Sequence, residues 1–283
     1  MKAKEKKPTN KPDLRTEAGR SEKRAAILKE IPNFRLMDDD FMTKVFEDKA
    51  CAELLLNIIL DIPGLEVKES HTQYSIKNLQ GRSVRLDIYA EKDDKRYNIE
   101  IQRADEGAGA KRARYNSSLI DANTSLPGMD TKYLPETYVI FITESDVFGK
   151  GHPIYHIDRT IKETGEYFGD ETHIIYVNGE YRGDSKLGRL MEDFSCKNAA
   201  DMHYGLLAER VRYFKETEEG VAIMCKAVEK LCLESRSEGK IEGIVSVCKS
   251  LGMDFANTVK QVVAQIPTMT NGEAEQQVKL YWN

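Results

Sequence analysis

The sequence predicts an α/β fold whose mixed core is followed by a helical C-terminal part. Apolar residues between Phe41 and Leu60 recur at steps of three and four positions, as they do on one face of a helix. Residues 84–91 and 97–102 alternate apolar and polar side chains, a pattern typical of half-buried strands. From about Leu187 onward the pattern is helical, so the predicted order is helix, hairpin, helix, two strands and further helices.

Local signals place the ends of these elements. Asp38–Asp40 supply capping groups and negative charge before the first helix, and Ile62-Pro63-Gly64 ends it. Residues 110–124 are predicted as a helix. The runs 138–143 and 173–177 are rich in β-branched and aromatic residues and short enough to be buried strands.

The chain divides into three predicted regions. Residues 1–30 contain ten basic and five acidic groups, and the first 24 have almost no large apolar side chains. Such a segment buries too little surface to offset its ordering entropy, so a basic, disordered tail is expected. A DNA-tethering role for this tail is the alternative to simple solvation. Residues 31–195 form the predicted α/β core, and residues 196–283 form the predicted helical region.

Composition excludes several classes of protein. The 283 residues include 42 Lys and Arg against 47 Asp and Glu, a net charge of −5, with 40% apolar and 31% charged residues. These values are typical of a soluble globular protein. No apolar run approaches the roughly 20 residues of a membrane span, and Met1 precedes a Lys-rich stretch rather than a signal sequence. Five cysteines without paired spacing argue against a disulfide framework. A cytoplasmic location with no membrane partner is therefore expected.

The two alternating segments predict a β-hairpin with a defined register. Pairing them across a turn at Asp93-Asp94 places Ile88 opposite Ile99, with the apolar side chains of both strands on one face. A slip of one residue would set apolar side chains against polar ones. In this register Asp87 lies directly opposite Glu100, with Cβ atoms about 5 Å apart.

Two carboxylates in this arrangement repel each other. Either one of them is protonated, or a divalent cation lies between them. Hard cations such as magnesium (Mg²⁺) prefer carboxylate oxygens and retain several waters. Gln102 lies on the same side as Glu100, where it can orient a water or a phosphate oxygen. The alternative, which the alternation alone favours, is a strand pair whose polar face merely contacts water.

A second feature is the basic stretch that follows the hairpin. Lys111, Arg112 and Arg114 lie on the predicted helix 110–124, whose positive N-terminal end also attracts anions. These three residues are candidate contacts to DNA phosphates, and the alternative is a solvated helix face. Tyr115 is expected to pack in the core rather than to stack on a base.

Several motifs together resemble a known group of enzymes. The chain resembles the PD-(D/E)XK nuclease superfamily, and more closely its Rpn family of recombination-promoting nucleases and transposase-like proteins, over about residues 36–250. The matching segments are Phe41–Phe46, Arg85–Tyr89, Asn98–Gln102, Lys111–Tyr115, Tyr138–Gly151, Ile174–Gly179 and Leu190–Phe194. Each motif is weak alone, and their combination is specific.

The resemblance implies a site and a reaction. Asp87 and Glu100 match the metal-binding carboxylates, Gln102 stands where the wider superfamily usually has Lys, and Glu53 is either a further acidic site residue or a solvent-facing helix residue. The implied fold is a restriction-endonuclease-like core. The implied function is a Mg²⁺-dependent DNA endonuclease, with an inactive DNA- or protein-binding module as the alternative. A homodimer through the C-terminal helices is a further expectation, because it would suit paired cuts on two strands.

Overall fold

The architecture is built around one six-stranded mixed sheet. The computed structural model describes residues 17–77, 83–92, 94–102, 105–267 and 269–282. The strands are β1 (Glu69–Lys77), β2 (Ser83–Lys92), β3 (Lys95–Gln102), β4 (Glu136–Thr143), β5 (Ile154–Ile157) and β6 (Thr172–Asn178). The helices are α1 (Glu17–Glu30), α2 (Asp39–Phe46), α3 (Lys49–Ile59), α4 (Ala110–Thr124), α5 (Lys186–Ser195), α6 (Gly205–Glu216), α7 (Glu218–Ser250), α8 (Phe255–Gln265) and α9 (Asn271–Tyr281).

The strands are arranged in the order β1-β2-β3-β4-β6-β5. Strand β2 pairs antiparallel with both β1 and β3, whereas β3, β4 and β6 are parallel. Strand β5 pairs antiparallel with β6 at the edge. The helix α4 makes the connection between the parallel strands β3 and β4, as a parallel pair requires.

The hairpin register predicted from alternation is confirmed for residues 88–92 and 95–99. Ala90 lies opposite Tyr97 and Ile88 lies opposite Ile99, and the pairing extends back to Lys92 and Lys95 at the turn. Asp93, half of the predicted turn, lies outside the described residues. The register is fixed because a shift by one position would bury the polar set of both strands in the larger core.

The two faces of the sheet contact different layers. One face carries Ile88, Tyr97 and Ile99, which pack in a large core with α2, α3, α5, α6 and the first half of α7. The other face carries Tyr89 and Phe141, which pack in a smaller core with residues of α4. Successive side chains of a strand point to opposite faces of the sheet. Asp87 adjoins Ile88 and Glu100 adjoins Ile99, so both acidic residues lie on the second face, which α4 covers.

Two predictions about the N-terminal half are corrected. Residues 17–30, expected within a disordered tail, form helix α1, because Ile27 is buried in the large core and α1 contacts α7. Residues 1–16 of the expected tail lie outside the described residues. The helical pattern from Phe41 to Leu60 is two helices, α2 and α3. Asp48 separates them by accepting a hydrogen bond from the main-chain NH of Cys51 as the N-cap of α3.

Two strands were not predicted. In β1 the described side chains are mostly polar and only Ile76 is buried, so no apolar alternation marks the strand. Its pairing with β2 passes over Gln73, whose φ of 54° lies in the left-handed region. By continuity of the register, Gln73 lies beside Asp87. Strand β5 has four residues and two exposed positions, too few for a periodicity.

The C-terminal part is helical, as predicted, but packing crosses the expected boundary at residue 195. Leu207, Phe214 and Met224 belong to the large core with residues of the sheet. A separate cluster forms only further on, where the second half of α7 packs on α8 and α9 around Val245 and Val262. Among the helices of the described residues, none is long and apolar enough to span a bilayer.

Candidate active site

The candidate site lies where β2 and β3 meet beneath helix α4. The pairing of β2 with β3 ends at Ile88 and Ile99, and Asp87 and Glu100 are the next residues of the two strands. The negative charge of Asp87 acts on the Glu100 carboxyl, so the two acids are close neighbours. The structure thus brings together the two carboxylates that alternation predicted.

Glu100 is enclosed by the protein. Its side chain is fully buried, and its neighbour across the parallel pair is Phe141 of β4. Burial, followed by the charge of Asp87, raises the pKa of Glu100 from 4.5 to about 7. Arg112, the Asn98 amide and the main-chain NH of Asp87 act in the opposite direction by favouring the ionised form.

Arg112 compensates the charge of Glu100 directly. Its Nη2 atom forms a close ion pair with Oε2 of Glu100. Its Nη1 atom donates to the carbonyl of Gly107 at 2.9 Å, and its guanidinium lies 5.8 Å from the ring centre of Phe141. Arg112, predicted as a contact to DNA phosphate, is therefore turned toward the sheet and engaged with a carboxylate.

The start of α4 is anchored at this position. The hydroxyl of Tyr176 on β6 donates to the carbonyl of Ala108 at 2.7 Å. Together with the Arg112 contact to Gly107, this bond attaches the turn before α4 to the sheet. Tyr176 was not among the predicted site residues, because a tyrosine within a buried strand gives no sign of a specific partner.

Two buried amides flank the carboxylates. Asn98 on β3 and Asn116 on α4 are both fully buried. The amide of Asn98 acts on the Glu100 carboxylate, whereas the amide of Asn116 completes no hydrogen bond with any described residue. Oε1 of Glu100 is likewise buried without a described partner. Asn98 lies two residues before Glu100, and Asn116 lies one helical turn after Arg112, so both pairs share a face. That spacing was the available sequence signal, and the prediction missed it.

The outer side of α4 remains basic. Lys111 and Arg114 are exposed, three positions apart on the face of the helix that points away from the sheet. Tyr115 is half-buried against the smaller core, as predicted for a packing residue. Of the three predicted phosphate contacts, Lys111 and Arg114 are thus presented to solvent in this structure.

Comparison with known families decides the identity of this region. Residues 42–180 match the model of a PD-(D/E)XK nuclease family transposase. Residues 42–180 carry a PD-(D/E)XK nuclease family transposase domain. No curated protein and no solved structure shows a significant match to the chain. The family assignment supports a nuclease-like or transposase-like role and confirms the predicted superfamily and α/β fold.

Two further residues of the predicted site, Gln102 and Glu53, lie in β3 and α3 of the PD-(D/E)XK domain. Gln102 ends strand β3, and its side chain lies outside the described part of the structure. Oε1 of Glu53 accepts the main-chain NH of Val67 at 3.0 Å and lies 3.5 Å from Nζ of Lys49. These contacts connect α3 to the segment before β1 and give Glu53 a structural role.

PD-(D/E)XK nucleases commonly use divalent metals, and the donor set here is compatible with a hard cation. Asp87 and Glu100 are adjacent carboxylates, and Oε1 of Glu100 is buried without a hydrogen-bond partner among the described residues. Magnesium is often bound through only one or two protein carboxylates, the other ligands being waters and phosphate oxygens. Among the described residues, no group of three or more His, Cys, Asp or Glu side chains could hold a metal ion.

Proposed function

We propose that this protein is a Mg²⁺-dependent DNA endonuclease that hydrolyses phosphodiester bonds, of the recombination-promoting, transposase-like type. The observation that carries the proposal is the close approach of Asp87 and Glu100 on neighbouring strands of a PD-(D/E)XK domain. Two repelling carboxylates, one with a buried oxygen that has no partner among the described residues, are stabilised when they share a divalent cation.

The site residues have separate roles in this proposal. Asp87 and Glu100 would hold the cation, which when bound supplies a water of lowered pKa and neutralises charge on the phosphate. The buried position of Glu100 keeps its carboxylate away from bulk water, which strengthens its electrostatic interactions. Gln102, two residues after Glu100 in the sequence, would orient the attacking water or a phosphate oxygen.

DNA binding is proposed for the exposed face of α4. The net charge of −5 means that a local basic surface must supply the phosphate contacts. Lys111 and Arg114 are exposed on the helix that covers the carboxylates, within the first two turns after its N-terminus at Ala110. Phosphates bound there would lie next to the acidic pair, since Arg112 of the same turn reaches Glu100.

A second candidate function is an inactive DNA- or protein-binding module on the same fold. The ion pair between Arg112 and Glu100 favours it, because a resident guanidinium can replace a metal as the partner of the buried carboxylate. This alternative predicts DNA or partner binding without cleavage and without any effect of Mg²⁺ on thermal stability.

Cleavage of supercoiled plasmid DNA tests the proposal. Asp87→Asn and Glu100→Gln remove the charges with little change in shape, and Glu69→Gln, at an exposed carboxylate of β1, is the matched control. We expect Mg²⁺-dependent nicking by wild type and Glu69→Gln, with a loss on the order of a hundredfold or more in both site variants. Equal nicking by all four proteins would contradict the site, and retained DNA binding without nicking would favour the inactive module.

The proposed assembly is a homodimer formed through the C-terminal helices. Two apolar side chains are exposed at the end of α7. Val247 exposes 58% of its surface, and Leu251, the residue after the helix, exposes 72%. Both are available to such an interface. Sedimentation velocity of the wild type and of Val247→Glu tests this, with a dimer expected for the first and a monomer for the second. A monomeric wild type would remove the dimer from the proposal and leave the active site unaffected.

A further inference from the structure

Arg112 makes more specific contacts in the site than a solvent-exposed basic residue on a helix would make. Its two terminal nitrogens have different partners, the Glu100 carboxylate and the Gly107 carbonyl, and its planar group lies over Phe141. The Arg112 side chain is 37% exposed whereas Glu100 is fully enclosed. The guanidinium therefore reaches from the surface of α4 to a carboxylate beneath it.

Arg112 already supplies a cation to Glu100. Its guanidinium forms an ion pair with Oε2 of this buried carboxylate. A guanidinium and a divalent cation at the same buried carboxylate would repel each other strongly, since screening is weak inside the protein.

We propose that Arg112 is a positioning residue that acts as a resident cation: it holds Glu100 in the metal-free protein and is displaced when a divalent cation binds. This inference rests on the proposed function. Once released, the guanidinium joins the exposed Lys111 and Arg114 on the outer face of α4, where it is available to a DNA phosphate. Binding of the metal is thereby coupled to the exposure of Arg112 as a third basic side chain for DNA phosphate.

Removal of Arg112 should change the affinity for the metal in a direction that a purely structural role would not give. If Arg112 only kept the site folded, its removal would weaken metal binding or leave it unchanged. If Arg112 competes with the metal, its removal strengthens metal binding, because the cation no longer has to displace a bonded guanidinium. A lysine at the same position retains a competing charge.

The test is the affinity for Mg²⁺, measured by isothermal titration at mildly alkaline pH without DNA, for wild type, Arg112→Met, Arg112→Lys and Asp87→Asn. Methionine keeps an unbranched apolar side chain over Phe141. We expect Arg112→Met to bind Mg²⁺ about tenfold more tightly than wild type. Arg112→Lys should stay near the wild-type value. Equal or weaker binding by Arg112→Met would overturn the inference.

Arg114→Met is the matched control, because it removes the same charge from an exposed position on the same helix. Its Mg²⁺ affinity should remain close to that of the wild type. A gain equal to that of Arg112→Met would overturn the inference by showing a general charge effect. If neither wild type nor Arg112→Met binds Mg²⁺, the proposed function itself fails, whereas loss of binding in Asp87→Asn alone supports the site.

A measurement on the wild type covers the case in which Arg112→Met does not fold. The side-chain nitrogen resonances of Arg112, assigned with Arg112→Lys, report directly on its bond to Glu100. We expect saturating Mg²⁺ to move these resonances toward those of solvent-exposed arginines. Resonances that stay unchanged while Mg²⁺ binds would overturn the displacement and leave the metal site in place.

Discussion

The guanidinium of Arg112 and the carboxylate of Glu100 form an ion pair that joins helix α4 to strand β3. Glu100 is fully buried, so this pair is the main local compensation for a charge that has no access to water. Removing one partner of a buried pair costs about 3–5 kcal/mol, although the partial exposure of Arg112 reduces that figure. The same pair connects the covering helix to the two acids on which the proposed chemistry depends.

The raised pKa of Glu100 predicts a pH dependence of stability. Its folded-state pKa of about 7 exceeds the usual 4.5 because of burial and of Asp87. Between these values the folded state binds more protons than the unfolded state, so the free energy of unfolding falls as the pH rises from about 4.5 to 7. The contribution is up to about 3 kcal/mol.

Urea denaturation at pH 5 and at pH 7.5, without divalent cations, measures this effect. Glu100→Gln should flatten the difference between the two pH values relative to wild type. A variant that keeps the full wild-type pH dependence would show that Glu100 titrates normally.

The buried amide of Asn116 predicts a gain in stability on substitution. Neither its nitrogen nor its oxygen has a hydrogen-bond partner among the described residues, although the side chain is fully buried. Asn116→Leu should raise the free energy of unfolding by about 1–2 kcal/mol, because an unpaired buried polar group is replaced by an apolar one. Ser118→Ala, at an exposed position of α4, should change it by less than about 0.5 kcal/mol. Destabilisation by Asn116→Leu would show that the amide has an essential partner.

Lys215 predicts a second pH effect, at the junction between α6 and the N-terminal segment. Its Nζ atom donates to the carbonyls of Pro32 at 3.2 Å, of Phe34 at 2.5 Å and of Lys197. Burial lowers the pKa of Lys215 from 10.5 to about 8. Between these values the unfolded chain binds more protons than the folded one, so the free energy of unfolding should rise as the pH increases from about 8 to 10.5.

Measuring the free energy of unfolding of wild type and Lys215→Met as a function of pH isolates the contribution of Lys215. The variant should lack the rise above pH 8 and should be less stable at pH 7, because three carbonyls lose their donor. Parallel curves for the two proteins above pH 8 would contradict a lowered pKa for Lys215.

Two glycines of α7 predict opposite effects of the same substitution. A Cβ atom at Gly220 would lie 2.0 Å from the carbonyl oxygen of Tyr213, whereas at Gly239 nothing lies within 4 Å. Gly220→Ala should therefore lower the free energy of unfolding by at least about 1–3 kcal/mol, as overpacking does. Gly239→Ala should raise it by about 0.5–1 kcal/mol through helix propensity. Chemical denaturation of both variants checks this, and equal effects would contradict the close contact between α6 and α7.

The hairpin was predictable because side-chain alternation and the short turn together determine its register. A slip of one residue would set apolar side chains of β2 against polar ones of β3, and the short polar turn selects the pairing that ends next to Asp87 and Glu100. Helix α4 was predicted with its observed bounds, Ala110–Thr124, after the glycine-containing turn at residues 107–109. Side-chain alternation was sufficient for the hairpin and turn chemistry for the start of this helix.

The side of α4 that faces the sheet was not predictable from local signals. Arg112 and Arg114 are two residues apart, and the sequence contains no sign that the first turns inward to Glu100 while the second stays exposed. That difference depends on which face of the helix packs on β3 and β4. Helix α1 was missed for a related reason, because its contact with α7 joins segments that are about 200 residues apart in the chain.

A crystal grown with Mn²⁺ and measured at the manganese absorption edge tests the central claim most directly. Mn²⁺ has ligand preferences similar to those of Mg²⁺ and is identified by its anomalous scattering. The predicted result is a single anomalous peak between the carboxylates of Asp87 and Glu100, with the Arg112 guanidinium moved away from Glu100. No peak between these two carboxylates, with Arg112 still bonded to Glu100 at saturating Mn²⁺, would contradict the account.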